Sequence, residues 1–246
     1  MPAAALMSLG VPVFKRWGIF DTPNWIALGA RSFEYRFAGS GWSRLLPDLI
    51  DRRRFEFVPE PVPRFTHALP GAFALTGKRI LFVRDPRDAL ASAAARARRI
   101  GQIPADRSTT AFALSPRGPG QPNSITYLAG FLRRWLDALR DGDGLIVRFE
   151  DAKREPEPTL RRVLDWLEFP CSLPALATAC AAARHERVLA CDRALVAAGT
   201  VPTPILGAGL VYGWKREADA QLWATIGRRY DVLCRQLGYE PIDAGG

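Results

Sequence analysis

The chain has 246 residues, 48% of them hydrophobic and 10% aromatic, with a formal net charge of +9. That composition excludes a mostly disordered chain, and at roughly 150 residues per domain the length suits one large domain or two small ones. No apolar run reaches the roughly 18 residues of a membrane-spanning helix. The opening MPAAALMSLGVPVFKRW places its charges after the apolar stretch, the wrong order for a secretory leader. The whole charge excess falls in residues 1–123, and the rest of the chain is balanced, so an anionic partner is expected mainly on the first half. Only Lys15, Lys78, Lys153 and Lys215 are lysine. Every other cation is arginine, whose fork matches phosphate or sulfate oxygens. A base-composition bias explains the many Arg and Ala equally well, so neither nucleic acid nor membrane is inferred as a partner. Cys171, Cys180, Cys191 and Cys234 form no C-x-x-C pair, and no metal-ligand cluster stands out. Reduced thiols in a cytoplasmic protein are the expectation.

Residues 33–37 (FEYRF) read as a strand feeding the small-residue turn Ala38-Gly39-Ser40-Gly41, after which Leu45, Leu46, Leu49 and Ile50 recur at helical spacing. A short strand follows at 55–58, fenced by Pro59, Pro61 and Pro63. RILFV at 79–83 is a continuous apolar run of the kind buried in parallel sheets. Asp85-Pro86 then starts an Ala-rich helix over 87–99. Residues 101–123 lack periodicity and read as a long loop. A helix over 125–139 carries Leu128, Phe131, Leu132, Trp135 and Leu139 on one face, and a strand follows at 145–149. Helices are expected over 159–167, 174–191 and 218–237, with a Gly- and Pro-rich loop at 199–213. Strands alternating with helices indicate an α/β fold with a parallel sheet. Without repeats or a low-complexity linker, one domain over 1–246 is the economical reading.

Three places carry candidate chemistry. A strand, a small-residue turn and a helix start at Phe37–Arg44 would expose backbone N–H groups at a positive helix end, and Ser40 and Ser43 add hydroxyls. No Lys follows the glycine, so this is not a Walker A sequence. Gly71–Lys78 is a decoy, one residue too long for a phosphate loop and ahead of its strand, so it reads as a turn. Arg84, at the carboxyl end of the 79–83 strand, points to a ligand crevice, and Ser92 follows two turns into the next helix. Arg84 pairing with Asp88 on the surface is the alternative. His67 sits at a strand end or loop, suited to a general base near neutral pH, or to a structural role. His185, in a charged helical pattern, reads as structural.

Taken in order, these segments resemble the sulfotransferases that use 3′-phosphoadenosine-5′-phosphosulfate (PAPS). KRILFVRDPRDALAS is similar to their 3′-phosphate-binding segment, and Phe65-Thr66-His67-Ala68-Leu69-Pro70 to their catalytic-histidine segment. Leu145–Lys153 with the helix TLRRVLDWL resembles their "YEDL" strand and helix. Trp135, Gly213-Trp214-Lys215 and Leu237-Gly238-Tyr239 also fall where the family has counterparts. The resemblance spans residues 37–240. It implies a three-layer sandwich with a central parallel sheet flanked by helices, the P-loop NTPase-like sulfotransferase fold. It implies sulfuryl transfer from PAPS to a hydroxyl or amine of a small-molecule acceptor, without a metal. Arg84 and Ser92 would bind the 3′-phosphate, and Phe149 stands for the tyrosine in the adenosine-contacting stretch. The loop Gly39, Ser40, Gly41, Trp42 and Ser43 would cradle the 5′-phosphosulfate. His67 would take the acceptor's proton. The stretches 101–123 and 192–213 would shape the acceptor pocket.

Two departures qualify this. The family loop reads Pro-Lys/Arg-Ser-Gly-Thr-Thr-Trp, whereas here Gly39 replaces the cation, a loss worth roughly 100–1000-fold in rate for such a donor. Arg36 in the strand or Arg44 in the first helical turn could supply it. Arg44 is favoured, because the helix N-terminus already aims at the anion. The family's Arg-Lys-Gly clamp is replaced by Gly207-Ala208-Gly209. Two other functions stay open: a related enzyme using the pocket for another transfer, elimination or cyclisation, and a non-catalytic binding protein.

Overall fold

The computed structural model describes residues 78–140, 144–199, 207–216 and 220–240, with Ala5, 69–70, 203–204 and five short strands ahead of residue 66. In chain order the elements are β1 (Phe14–Lys15), β2 (Ile26–Ala27), β3 (Ser32–Tyr35), β4 (Arg53–Glu56), β5 (Arg64–Phe65) and β6 (Arg79–Val83). Next come α1 (Pro86–Arg99), α2 (Thr109–Leu114), α3 (Ser124–Arg140), β7 (Gly144–Arg148) and α4 (Phe149–Arg154). The chain continues as α5 (Pro156–Trp166), α6 (Leu173–Ala182), α7 (His185–Ala197), a 3-10 turn at Gly213–Arg216 and α8 (Ala220–Gln236). This is the expected α/β fold with parallel strand pairing. It divides into two compact units, Met1–Ala68 with Glu155–Leu206, and Leu69–Arg154 with Gly207–Gly246.

In the first unit β1 runs parallel to β5, and β2, β3 and β4 form an antiparallel sheet in that order. The strands anticipated at 33–37 and 55–58 therefore lie one or two residues earlier and pair antiparallel, with Phe33 opposite Phe55. Their sequences, SFEY and RRFE, mix polar with aromatic residues. That suits an antiparallel sheet better than the continuous apolar run of a buried parallel strand. Pro156 opens α5, where its missing N–H costs nothing. Ser172 caps α6 by accepting the Ala175 N–H at 3.3 Å. Leu160, Val163 and Leu164 of α5 and Leu176 and Ala179 of α6 are buried where the two helices pack. The single helix anticipated over 174–191 is two, broken at Ala183 and Arg184.

In the second unit β6 and β7 pair parallel, from Arg79 opposite Gly144 to Val83 opposite Arg148. Parallel neighbours need a long crossover, which α1, α2 and α3 provide. The core joins Leu81 and Val83 of β6, Leu90 of α1, Ile125, Leu132 and Trp135 of α3, and Leu222, Ile226 and Leu233 of α8. Each such side chain is worth roughly 1.5–3 kcal/mol on burial. Tyr230 of α8 is fully buried, its hydroxyl donating to the Ile125 carbonyl. The stretch anticipated as a loop, 101–123, contains α2, which Ser108 caps by accepting the Ala111 N–H at 3.0 Å. Among the described residues no helix is long and apolar enough to cross a membrane, and no group of three His, Cys, Asp or Glu is placed to hold a metal.

Candidate anion site at the end of the β6 strand

The site begins with strand register. Val83 faces Arg148 across the β6–β7 ladder, so the next residues on each strand, Arg84 and Phe149, emerge side by side. The Arg84 guanidinium lies 4.7 Å over the Phe149 ring, a cation–π contact that fixes the arginine plane. Phe149 was anticipated as the last strand residue, but it opens α4. The acidic Glu150 and Asp151 in its first turn suit a helix N-terminus.

Asp85 turns the chain from strand to helix. Its backbone takes φ −44° and ψ 121° before Pro86, outside the helical region, and its carboxylate accepts the Arg87 N–H at 2.9 Å. The same carboxylate forms a buried ion pair with the Arg87 guanidinium at 2.6 Å. Burial works against the charged Arg87, but the Asp85 hydrogen bonds hold its pKa above the ordinary value. Arg87 also lies 4.3 Å over the Trp214 ring. The Asp85 backbone N–H donates to Glu150 Oε1 at 3.1 Å, and the Tyr239 hydroxyl donates to Glu150 Oε2 at 2.8 Å. Burial first, and then the Glu150 charge, push the Tyr239 phenol well above its ordinary value, so it stays a donor.

The segment 207–214 lies along α1. The Arg84 Nη2 group donates to the Leu210 carbonyl at 2.5 Å. Asp88, 1% exposed, accepts the backbone N–H groups of Tyr212 at 2.6 Å and Trp214 at 2.9 Å. Its separation from Arg84 is 3.8 Å, so Asp88 serves this segment more than the arginine. Tyr212 has φ 55°, a left-handed conformation that costs a non-glycine residue on the order of 1–2 kcal/mol. The Asp88 bond to its N–H holds it there. Gly209, at φ 61°, takes the same region without that cost. A Cβ on Gly207 would lie 3.7 Å from an Arg99 nitrogen, ordinary contact, so the replaced clamp position sits beside the end of α1.

Of the sequence-derived site residues, the structure brings Arg84 and Phe149 into contact and places Ser92 on α1, exposed. Ser92 follows Asp88 by one helical turn. Gly39, Ser40, Gly41, Trp42, Ser43, Arg44, Arg36 and His67 lie outside the described residues, as do the helix anticipated from Leu45 and the turn at 71–77. Glu150 and Tyr239 had no assigned role in the sequence, and Asp88 was read only as a possible ion-pair partner of Arg84. Their bonds span 65, 89 and 124 residues, distances no local pattern reports. Arg84 keeps a buried Nε without a hydrogen-bond partner. A buried donor left unpaired costs roughly 1–3 kcal/mol. The guanidinium at a strand end, held over an aromatic ring, is the candidate anion contact of this unit.

Comparison with known proteins identifies the family. The sulfotransferase domain family matches residues 52–188. Two similar solved structures are retinol dehydratase in complex with androsterone and the inactive cofactor PAP, and retinol dehydratase with retinol and PAP. Each is 14% identical with a TM-score of 0.52, covering 64% of this chain and 47% or 48% of the other. A mouse sulfotransferase complexed with PAP is 18% identical with a TM-score of 0.49, covering 65% of this chain and 62% of the other. The chain thus spans about half the length of the retinol dehydratase it resembles, and likeness at this identity concerns the fold alone. No curated protein matches the chain. With more than half of its length matched by the family and the parallel β6–β7 unit in place, the chain belongs to the sulfotransferase family.

Proposed function

We propose that the protein transfers a sulfuryl group from PAPS to a hydroxyl or amine of a small-molecule acceptor. The observation that carries this is Arg84, at the end of a parallel strand in a sulfotransferase-family chain, its guanidinium held over the Phe149 ring. Arg84 and Ser92 hold the 3′-phosphate, Phe149 lies under Arg84 next to the adenosine, and Gly39 to Ser43 with Trp42 hold the phosphosulfate. PAPS supplies the sulfuryl group. His67 takes the acceptor's proton as its oxygen or nitrogen attacks sulfur, the bond from sulfur to the 5′-phosphate oxygen breaks and 3′-phosphoadenosine-5′-phosphate (PAP) leaves, with Arg44 supplying the cation absent at Gly39. The relatives' complexes with PAP, androsterone and retinol support a nucleotide and a small acceptor. One domain over 1–246 is the accompanying reading, since the family match includes residues of both units. The free thiols of Cys171, Cys180 and Cys234 support a reducing, cytoplasmic setting.

The test is transfer of labelled sulfuryl from PAPS to a panel of alcohols, phenols and amines. Wild type yields sulfated product, and His67→Ala lowers turnover by about 100-fold or more with donor affinity retained. His185→Ala leaves the rate unchanged. Arg44→Ala slows single-turnover chemistry more than Arg36→Ala does. Wild-type rate in His67→Ala would remove the base assignment. The dehydratase among the similar structures favours a second reading, elimination of water on this fold. Its signature in the same assay is an acceptor that loses water without retaining label.

A further inference from the structure

Two adjacent residues at the end of β7 meet two adjacent residues at the end of β6. The Phe149 ring lies under the Arg84 guanidinium, and Glu150 accepts the N–H of Asp85. The parallel ladder ends at Val83 and Arg148, so among the described residues no strand partner is paired with the peptide that follows Arg84. Glu150 takes that place. Its second oxygen is held by Tyr239, from the chain just beyond α8. Glu150 is 4% exposed. Burying a carboxylate is costly even when hydrogen bonded, and an apolar pair of like volume often serves stability as well. What an apolar pair could not do is grip the Arg84–Asp85 peptide.

We propose that Glu150 is a positioning residue for the anion site: through the Asp85 N–H, and with Tyr239 fixing its other oxygen, it sets the direction in which Arg84 leaves the sheet. The inference rests on the reading of Arg84 as the 3′-phosphate ligand. The peptide bond between Arg84 and Asp85 carries both the gripped N–H and the arginine's own backbone. Rotating that peptide swings the guanidinium off the Phe149 ring. A small misplacement of a charged group is enough to lose much of its interaction with an anion. Glu150 touches no ligand itself in this arrangement, so its effect is confined to the part of the ligand that Arg84 contacts.

Calorimetric titration of wild type, Glu150→Ala, Glu150→Gln and Tyr239→Phe with 3′-phosphoadenosine-5′-phosphate and with adenosine 5′-phosphate reads this out. Thermal unfolding is followed on each protein. Wild type prefers the 3′-phosphorylated ligand. Glu150→Ala loses about tenfold of that preference, while its affinity for adenosine 5′-phosphate stays within about twofold. Glu150→Gln keeps an acceptor for the Asp85 N–H and retains most of the preference, and Tyr239→Phe loses part of it. Variants that melt earlier but keep the wild-type ratio would make Glu150 a purely structural residue and overturn the inference. If Glu150→Ala does not fold, the ratio in Tyr239→Phe decides by the same criterion. A wild type that binds both ligands equally would instead overturn the Arg84 reading, and the inference with it.

Discussion

Arg84 combines two contacts that rarely serve a surface ion pair, an aromatic ring beneath it and a carbonyl at one nitrogen. The pairing with Asp88, a fair alternative from spacing alone, is long because both Asp88 oxygens accept backbone N–H groups. Replacing Arg84 by Ala is expected to weaken binding of 3′-phosphoadenosine-5′-phosphate by about 1.5–3 kcal/mol, the range of a hydrogen bond to a charged group. Ser92→Ala should cost less, about 0.5–1.5 kcal/mol. Titration calorimetry checks both, and unchanged affinity in Arg84→Ala would free this arginine of the role. Arg84's place at the carboxyl end of a parallel strand was legible because the continuous apolar run RILFV, closed by Arg84-Asp85-Pro86, marks a buried parallel strand and its end. Glu150 was not, since an acidic residue after a strand gives no sign of a partner 89 residues away.

Among the elements, the segment 207–214 depends on α1 more than its Gly-rich sequence suggests. Asp88 holds it at two backbone N–H groups and keeps Tyr212 in the left-handed region. Asp88→Ala leaves those donors without an acceptor and should destabilise the protein by on the order of 2–4 kcal/mol. It should also open the segment to limited proteolysis. Denaturant unfolding and protease digestion measure the two effects, and wild-type values in both would show the tether to be unimportant. The helices α1, α3 and α8 were readable from Ala content and apolar spacing. The short α2 was hidden because six residues give no periodicity, although Ser108 ahead of Thr-Thr-Ala was a usable cap signal. The break between α6 and α7 has neither Gly nor Pro, so nothing local announces it.

At the scale of the molecule, the alternation of strand and helix from residue 79 onward reads directly as a parallel βαβ unit, and the structure has that unit. The antiparallel sheet of β2, β3 and β4 was less legible, because strands of two to four residues carry too little pattern to reveal their direction. Three buried groups of the second unit, Cys234, Tyr230 and Tyr239, share one direction. Burial, ahead of the Asp85 charge, pushes the Cys234 thiol up to about 11, and Tyr230 and Tyr239 are also raised by burial. A raised folded pKa favours the protonated form. Its contribution is therefore complete below the unfolded thiol value near 9 and is lost as pH rises toward 11. Stability should fall by on the order of 2 kcal/mol across that window from Cys234 alone, and Cys234→Ala should flatten the slope. Denaturation at a series of pH values measures it, and a wild-type curve level to pH 11 would contradict the burial argument.

The most direct measurement is calorimetric titration of the wild-type protein with 3′-phosphoadenosine-5′-phosphate and with adenosine 5′-phosphate at equal ionic strength. A 3′-phosphate held by Arg84 predicts that the first ligand binds roughly 10- to 150-fold more tightly. Equal affinities, or no binding of either nucleotide, would contradict the account of Arg84 as the nucleotide's anchor.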